Sequence, residues 1–557
     1  MKIKRSVLGP LAVAGFALAT GGWFLQRGVN HEQNVYVQAK LFEEVLHQVA
    51  DRFVDRKEPS QLYRMAIDGM LEELGDPHTA VMSQNEYAQL RLQTSGEYGG
   101  LGMQVGKRGD WITVIAPLPG TPAERAGIQA GDQIIEIDGK STKGLTEDEA
   151  VQRLRGPKGS SVELKLVRYN PDQPLTVKLV RAEIHVNSVP AAYMVEPGIG
   201  YVELVTFSES STEELRGAIQ KLRSQGAKSI VLDLRRNPGG LLDAGVNVSD
   251  LFLNKGQVVV ETKGRIASQN QVATATGSDR FPGMPLVVLV GGGSASASEI
   301  VAGALQDHDR ALVIGRTTYG KGSVQQLFPL SNDQFLKMTT ARWYTPVGRS
   351  IQKPYGIDAS HANGNNGSDG AAADQSTTES NDSTKKPAYK TDSGRTVYGG
   401  GGIHPDVVVL DTLTAGERVL VDVLQSNYAK YLDQRFTFAV KYMREHPELK
   451  PGFPVTKQML GAFYDALTRA GVTIERPVYD AAERWVATGL GYEMTYTKWG
   501  EQEARKRLNS ESPELRVATE LLRKAKSPGS LFNLADAYNA QHATTTAAAP
   551  KNNDQQR

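Results

Sequence analysis

The chain has 557 residues, of which 40% are hydrophobic and 22% charged, an ordinary balance for folded protein in several domains. A formal net charge of +1, with no polybasic stretch beyond the first few residues, gives no reason to expect a nucleic-acid partner. Cysteine is absent, which excludes disulfides, thiolate metal sites and a cysteine nucleophile together.

Lys2, Lys4 and Arg5 precede an apolar run from Val7 to Leu25, closed by Gln26 and Arg27. A charged start followed by an apolar segment reads as an export signal. The run is 19 residues long, and at about 1.5 Å per residue it nearly crosses a hydrocarbon core of about 30 Å. A retained membrane anchor is therefore expected over residues 1–30. A cleaved signal, with Ala17-Leu18-Ala19 as the cleavage site, and a buried N-terminal helix draw on the same pattern. Positive charge before the run sends the rest of the chain across the membrane, so a periplasmic or otherwise extracytoplasmic protein is expected.

Residues 31–95 read as helical: Leu41, Val45 and Val49 recur at helical spacing, as do Ile67, Met70, Leu71 and Leu74, and Gly75-Asp76-Pro77 stops the pattern. Residues 96–183 carry short β-type runs split by glycine, with one helix opened by Thr146 and Glu149 as a capping box. Residues 184–410 contain continuous apolar runs at 229–234 and 285–290, each followed by a helical pattern, as buried parallel strands with crossover helices require. Within this stretch, residues 355–398 are rich in Gly, Ser, Asn, Asp and Thr and are expected to be a disordered insertion. Helical patterns return over 411–540, and 541–557 reads as a disordered polar tail. The fold class is α/β in the broad, multidomain α+β sense: a crossover α/β core, a small β module and flanking helices.

The segment Gly291-Gly-Gly-Ser-Ala-Ser-Ala-Ser298-Glu-Ile follows a buried strand and opens a helix. A hydroxyl at such an elbow sits where helix N–H groups stabilise an oxyanion. Ser296 with Glu299 also reads simply as an S-x-x-E capping box, and composition does not choose among Ser294, Ser296 and Ser298. A serine nucleophile needs a base. His308 lies beyond the same helix, its backbone about 18 Å from Ser296 by helix rise, and His78, His185 and His404 stand in no evident catalytic context. Lys321, flanked by Gly320 and Gly322, is the other candidate, because burial lowers a lysine toward neutrality. Gly315, Gly320 and Lys321 match part of a P-loop, but Gly322 replaces its magnesium-binding Ser/Thr, and 324–330 reads as strand rather than helix.

Three segments, Asp233-Leu-Arg-Arg-Asn-Pro-Gly-Gly240, Ser294-Ala-Ser-Ala-Ser-Glu299 and Gly315-Arg-Thr-Thr-Tyr-Gly-Lys-Gly-Ser-Val-Gln325, together resemble the carboxyl-terminal processing (tail-specific) proteases. The resemblance spans about residues 60 to 410. It implies Ser296 as nucleophile, Lys321 as general base and Gln325 as the residue that orients the lysine. It also implies oxyanion donors from Gly239 or Gly240 together with Ala297. Residues 96–182 resemble a PDZ domain of the bacterial protease type, in which a peptide adds as a strand and loop N–H groups capture its terminal carboxylate. Tyr98-Gly-Gly-Leu-Gly-Met103 would be that loop, supplying Gly100, Leu101, Gly102 and Met103, and Val105, Val151 and Leu154 would line an apolar groove or belong to the core. The expectation is an exported serine endopeptidase acting on proteins or peptides with free C-termini. It needs no metal or cofactor, is held to the membrane by its N-terminal segment, and forms a homodimer by analogy with the family's helical ends. The competing expectations are a catalytically silent PDZ scaffold and an esterase or amidase on the same core.

Overall fold

The computed structural model describes residues 35–168, 173–353, 386–410 and 413–546. The apolar run at 7–25, and with it the signal or anchor, lies outside the described residues. Among the described residues no helix is long and apolar enough to cross a membrane.

The centre is a six-stranded sheet of β10 (Ala191–Glu196), β11 (Ile199–Glu203), β12 (Ser229–Asp233), β15 (Leu286–Val290), β16 (Leu312–Gly315) and β21 (Val407–Val408), side by side in that order. Only the β10–β11 pair is antiparallel; the rest run parallel. The helices α6 (Ser211–Ser224), α7 (Leu242–Asp250) and α8 (Ala297–Asp307) make the crossovers. Strand order advances in one direction, so right-handed crossovers all deposit their helices on one face. The core on that face joins Leu215, Ile219, Val248, Ile300 and Leu305 to Ile230, Leu232, Leu286 and Val288. The opposite face would stay bare. It presents Tyr201, Val231, Val287, Leu289 and Ile314, and the C-terminal helices Pro513–Lys524 and Pro528–Thr546 cover it with Leu515, Leu521, Leu522 and Phe532. These residues read in the sequence only as a helical region; they are the second outer layer of the sheet. The last helix also carries the chain to Thr546, so residues 541–546 of the expected tail are helical.

A second sheet flanks the first. It contains β1 (Ala80–Met82), β13 (Val258–Gly264), β14 (Gln271–Thr274), β17 (Ser323–Pro329) and β18 (Phe335–Tyr344), with β18 between β17 and both β1 and β13. The N-terminal region contains α1 (35–52), α2 (Pro59–Glu73) and α3 (Gln84–Ser95), with β1 between the last two. Leu46, Leu62 and Leu71 are buried, but Leu41, Val45, Ile67, Met70 and Leu74 from the same periodic pattern are exposed.

The β module pairs β3 (Met103–Arg108), β4 (Trp111–Pro117), β5 (Gln133–Ile137), β7 (Ser161–Val167) and β8 (Leu175–Val180) in that order, with α5 (Glu147–Leu154) packed along β3. A ribbon of β2 (Glu97–Gly100) and β9 (Ala182–His185) closes the module. Residues 415–499 form a helical unit with its own core, including Leu420, Tyr431, Phe463 and Leu490. That unit docks on the module: Tyr496 donates to Gln104, and Arg108 lies 3.3 Å from Asp433.

Part of the expected disordered insertion is ordered. Residues 386–398 form a hairpin, Ala388–Lys390 with Thr396–Tyr398, and only 354–385 lie outside the described residues. The hairpin buries Val397 and is otherwise fastened by charge, which is why composition failed to find it. Arg395 bonds Asp309 at 2.6 Å and Asp406 at 2.7 Å and stacks over Phe532, and Asp392 bonds His308 at 2.7 Å.

Candidate active site

The strand-to-helix elbow after β15 gives the three serines of residues 294–298 different environments. Ser294 is buried and donates to the Leu234 carbonyl at 2.7 Å, and Ser298 is buried and donates to the Asn237 carbonyl at 2.7 Å. Both hydroxyls stitch the elbow to the end of β12. Ser296 is only half-buried, and its side chain makes no capping bond to α8. Half of the capping-box reading survives, because the Ser296 N–H donates to Glu299 Oε2 at 2.8 Å. The residue sits at φ 55°, ψ −115°, a strained backbone that costs on the order of 1–3 kcal/mol.

The Asn-Pro-Gly-Gly turn after β12 closes over this elbow. Asn237 is fully buried; its amide donates to the Leu204 carbonyl, and its backbone carbonyl takes the Ala295 N–H at 3.1 Å. Gly239, at φ 100°, runs so close that a Cβ there would lie 2.8 Å from Ser296 Cβ and 3.0 Å from the Ala297 nitrogen. At Gly240 a Cβ would strike the Phe207 carbonyl oxygen at 2.1 Å, so both glycines are dictated by close backbone approach. The expected oxyanion donors are therefore neighbours. Of the two glycines left as alternatives, the Gly239 N–H donates to Asn237 Oδ1 at 2.9 Å. Ala297 is the first residue of α8, and its N–H has no acceptor within the helix.

Glu299 joins this elbow to the lysine loop. It is fully buried, and its Oε2 accepts both the Ser296 N–H and the Lys321 N–H, the latter at 2.9 Å. Its Oε1 accepts the Thr318 hydroxyl at 2.5 Å and the Gly320 N–H at 2.7 Å. Burial pushes the Glu299 carboxyl up, and the four donors pull it back. The sequence offered Glu299 only as a capping partner.

Lys321 is half-buried, and its carbonyl accepts the indole N–H of buried Trp343 at 3.1 Å. Burial lowers the Lys321 amine below the ordinary lysine value and neighbouring Lys337 lowers it further, while Glu299 and Asp76 act in the opposite sense. A strand, β17, begins at Ser323, as expected, and leaves no helix for a P-loop. The β17–β18 ladder shifts register between Val324 and Gln325, and such a bulge re-aims the side chain that follows it. Gln325 donates its amide to Ser323 Oγ at 2.8 Å and Thr339 Oγ1 at 3.3 Å. Its carbonyl oxygen is the atom left to accept from an ammonium.

Of the histidines, His308 is bonded to Asp392 and to the Val258 carbonyl, His185 to Glu214, and His404 to the Pro405 carbonyl. His78 is different. It lies in the turn between α2 and β1, and after burial the largest influence lowering its imidazole is Lys321. The sequence presented Gly75-Asp76-Pro77 merely as a helix stop, and no spacing within the catalytic motifs points to a turn some 240 residues upstream of the lysine.

In the β module, β3 is an edge strand with α5 beside it, the arrangement in which a peptide adds as one more strand. Gly102, at φ 73°, carries the expected carboxylate loop away from β2, and its carbonyl accepts the Thr121 hydroxyl at 2.8 Å. Gly100 is buried in the β2–β9 ribbon. Leu101 and Leu154 belong to the core of the module, Met103 and Val105 are half-buried against that core, and Val151 is half-buried on α5.

The peptidase family S41 model matches residues 198–361, and the PDZ domain model matches residues 89–167. A carboxy-terminal-processing protease of Bartonella bacilliformis is 45% identical over 327 residues, covering 58% of this chain and 74% of that protein. A carboxyl-terminal-processing protease of Picosynechococcus is 40% identical over 328 residues, covering 57% of this chain and 78% of that protein. Among solved structures, a photosystem II D1 C-terminal processing protease aligns at 35% identity over 56% of this chain and 84% of its own, with a TM-score of 0.32. The chain belongs to peptidase family S41, as a carboxyl-terminal-processing serine protease that carries a PDZ domain.

Proposed function

We propose that Ser296 is the nucleophile of an exported endopeptidase, Lys321 its general base, and Gln325 the residue that orients the lysine. The observation that carries this reading is the contrast among the three serines. Ser294 and Ser298 spend their protons on buried carbonyls, while Ser296 stands uncapped at a strained elbow whose N–H shares one Glu299 oxygen with the N–H of Lys321. Neutral Lys321, favoured by burial, takes the Ser296 proton as Oγ attacks the scissile carbonyl. The oxyanion is received by the Ala297 N–H and by Gly240, since the Gly239 N–H is committed to Asn237. The lysine ammonium then protonates the leaving amine; neutral Lys321 next takes a proton from the water that attacks the acyl-enzyme and returns it to Ser296 Oγ as the acid product leaves. The free C-terminus of the substrate is captured at 100–103, with its last apolar side chain between Val105 and Val151.

The N-terminal segment directs export and holds the protein to the membrane. The apolar side chains of Leu41, Val45, Met65 and Met70 lie exposed on α1 and α2, a surface that a second copy of the chain would cover.

The test is to incubate the protein and its Ser296→Ala form with exported proteins and to identify new C-termini by mass spectrometry. Wild type should generate them and Ser296→Ala should not. With no cap bond to lose, the variant should unfold within about 0.5 kcal/mol of wild type. Turnover by Ser296→Ala at the wild-type rate would overturn the assignment.

A further inference from the structure

We propose that Asp76, in the turn between α2 and β1, is a positioning residue of the active site that holds Thr339, and through it the Gln325 amide, by way of the Thr79 hydroxyl. This inference rests on the Ser-Lys-Gln reading and extends it to the N-terminal region.

The placement follows from the second sheet. β18 carries Thr339 opposite Gln325 of β17 on one edge, and on its other edge it pairs with β1, Ala80 against Lys337. The turn entering β1 is thus delivered to the far side of Thr339. There Asp76 accepts the Thr79 hydroxyl at 2.5 Å and the His78 N–H at 3.1 Å. The Thr339 N–H donates to Thr79 Oγ1 at 3.1 Å, so hydrogen bonds run from Asp76 through the Thr79 hydroxyl to Thr339. Tyr87 of α3 stacks on Phe335 of β18 at 3.8 Å and pins the same region to the same strand.

Proton accounting gives the chain a direction. A carboxylate only accepts, so in its bond with Asp76 the Thr79 hydroxyl must spend its single proton. Its lone pairs then face the Thr339 N–H and hold the residue whose Oγ1 meets one amide N–H of Gln325 at 3.3 Å, while Ser323 Oγ meets the other at 2.8 Å. With both amide protons of Gln325 so placed, the carbonyl oxygen is left for Lys321. Without Asp76 the Thr79 proton is free to turn away, Thr339 loses its fixed acceptor, and the amide loses a fixed partner. The carboxylate of Asp76 and the imidazole of His78 both act on Lys321 electrostatically, so this turn borders the lysine as well as Gln325.

The test is a double-mutant cycle with Asp76→Ala and Gln325→Ala, read as kcat and KM on one peptide substrate, with unfolding midpoints as controls. Asp76→Ala should lower kcat about tenfold or more while KM stays within a few-fold. In the Gln325→Ala background the same change should cost less than about twofold. Thr339→Val should reproduce Asp76→Ala and Thr339→Ser should restore activity, which keeps the test decisive if Asp76→Ala folds poorly. Equal losses from Asp76→Ala with and without Gln325, or wild-type kcat in Thr339→Val, would overturn the positioning role alone. Wild-type kcat in Gln325→Ala would instead remove Gln325 from the mechanism, and the relay with it.

Discussion

Replacing Glu299 tests whether one buried carboxylate holds the serine and lysine loops together. Three N–H groups and one hydroxyl converge on it, on two oxygens that no water reaches. In Glu299→Gln the amide keeps one oxygen. Its best orientation leaves that oxygen on the Ser296 and Lys321 N–H groups and turns the NH2 toward Thr318, whose hydroxyl can rotate to accept. The Gly320 N–H cannot rotate and is left facing a donor. One orphaned buried donor costs about 1–3 kcal/mol, so Glu299→Gln should fold with a lowered urea midpoint. Glu299→Ala orphans all three N–H groups, an additive limit of about 3–9 kcal/mol that approaches the whole stability of an ordinary domain. The kinetic signature separates a clamp from a mere core residue. Glu299 raises the Lys321 amine toward its charged form, so removing its charge should move the acid limb of kcat/KM to lower pH even as the maximum falls. The assay is a urea titration beside a pH–rate profile for wild type and both variants. If Glu299→Ala kept the wild-type midpoint and the wild-type profile, the reasoning that this carboxylate joins the two loops would be refuted.

Lys321 should show itself through pH and through its own replacement. Because burial and Lys337 lower its amine, kcat/KM should rise with pH through an apparent pKa below the ordinary lysine value of about 10.4. Lys321→Arg should be as inactive as Lys321→Ala, since guanidinium does not release its proton, and full activity in Lys321→Arg would point to another base. Lys337→Gln removes a charge that disfavours the ammonium, so the acid limb should move to higher pH; no movement would separate Lys337 from the site. A peptide with a free, apolar C-terminus should bind the PDZ domain more tightly than its C-terminal amide, measured by titration, and equal affinities would remove end recognition at 100–103. Arg395→Ala breaks two partly buried ion pairs and should lower unfolding stability by roughly 2–4 kcal/mol, whereas an unchanged midpoint would mean that the 386–398 hairpin is not fastened by charge.

The local backbone requirements were legible in the sequence. The buried strands at 229–234 and 285–290, the glycine-rich elbow and the strand after Lys321 follow from apolar runs and glycine positions, because a parallel strand covered on both faces has no polar side to hide. The same logic failed at 386–398, where Arg395, Asp309 and Asp406 do what an apolar core does elsewhere. What only the tertiary structure decided are the meetings of distant segments. Three serines of equal chemistry became distinguishable when Ser294 and Ser298 found carbonyls at the end of β12, some sixty residues away in sequence. Glu299 changed from a helix cap to a clamp when the loop at 318–321 folded onto it. The helices at 513–546 acquired a purpose only once the one-way strand order had left a sheet face bare. Asp76 and His78 entered the site because β1 pairs with β18, a register that no local pattern around Gly75 encodes. Hydrophobic periodicity reports which face of an element is buried, and hydrogen-bond donors and acceptors find their partners only when those faces are brought together.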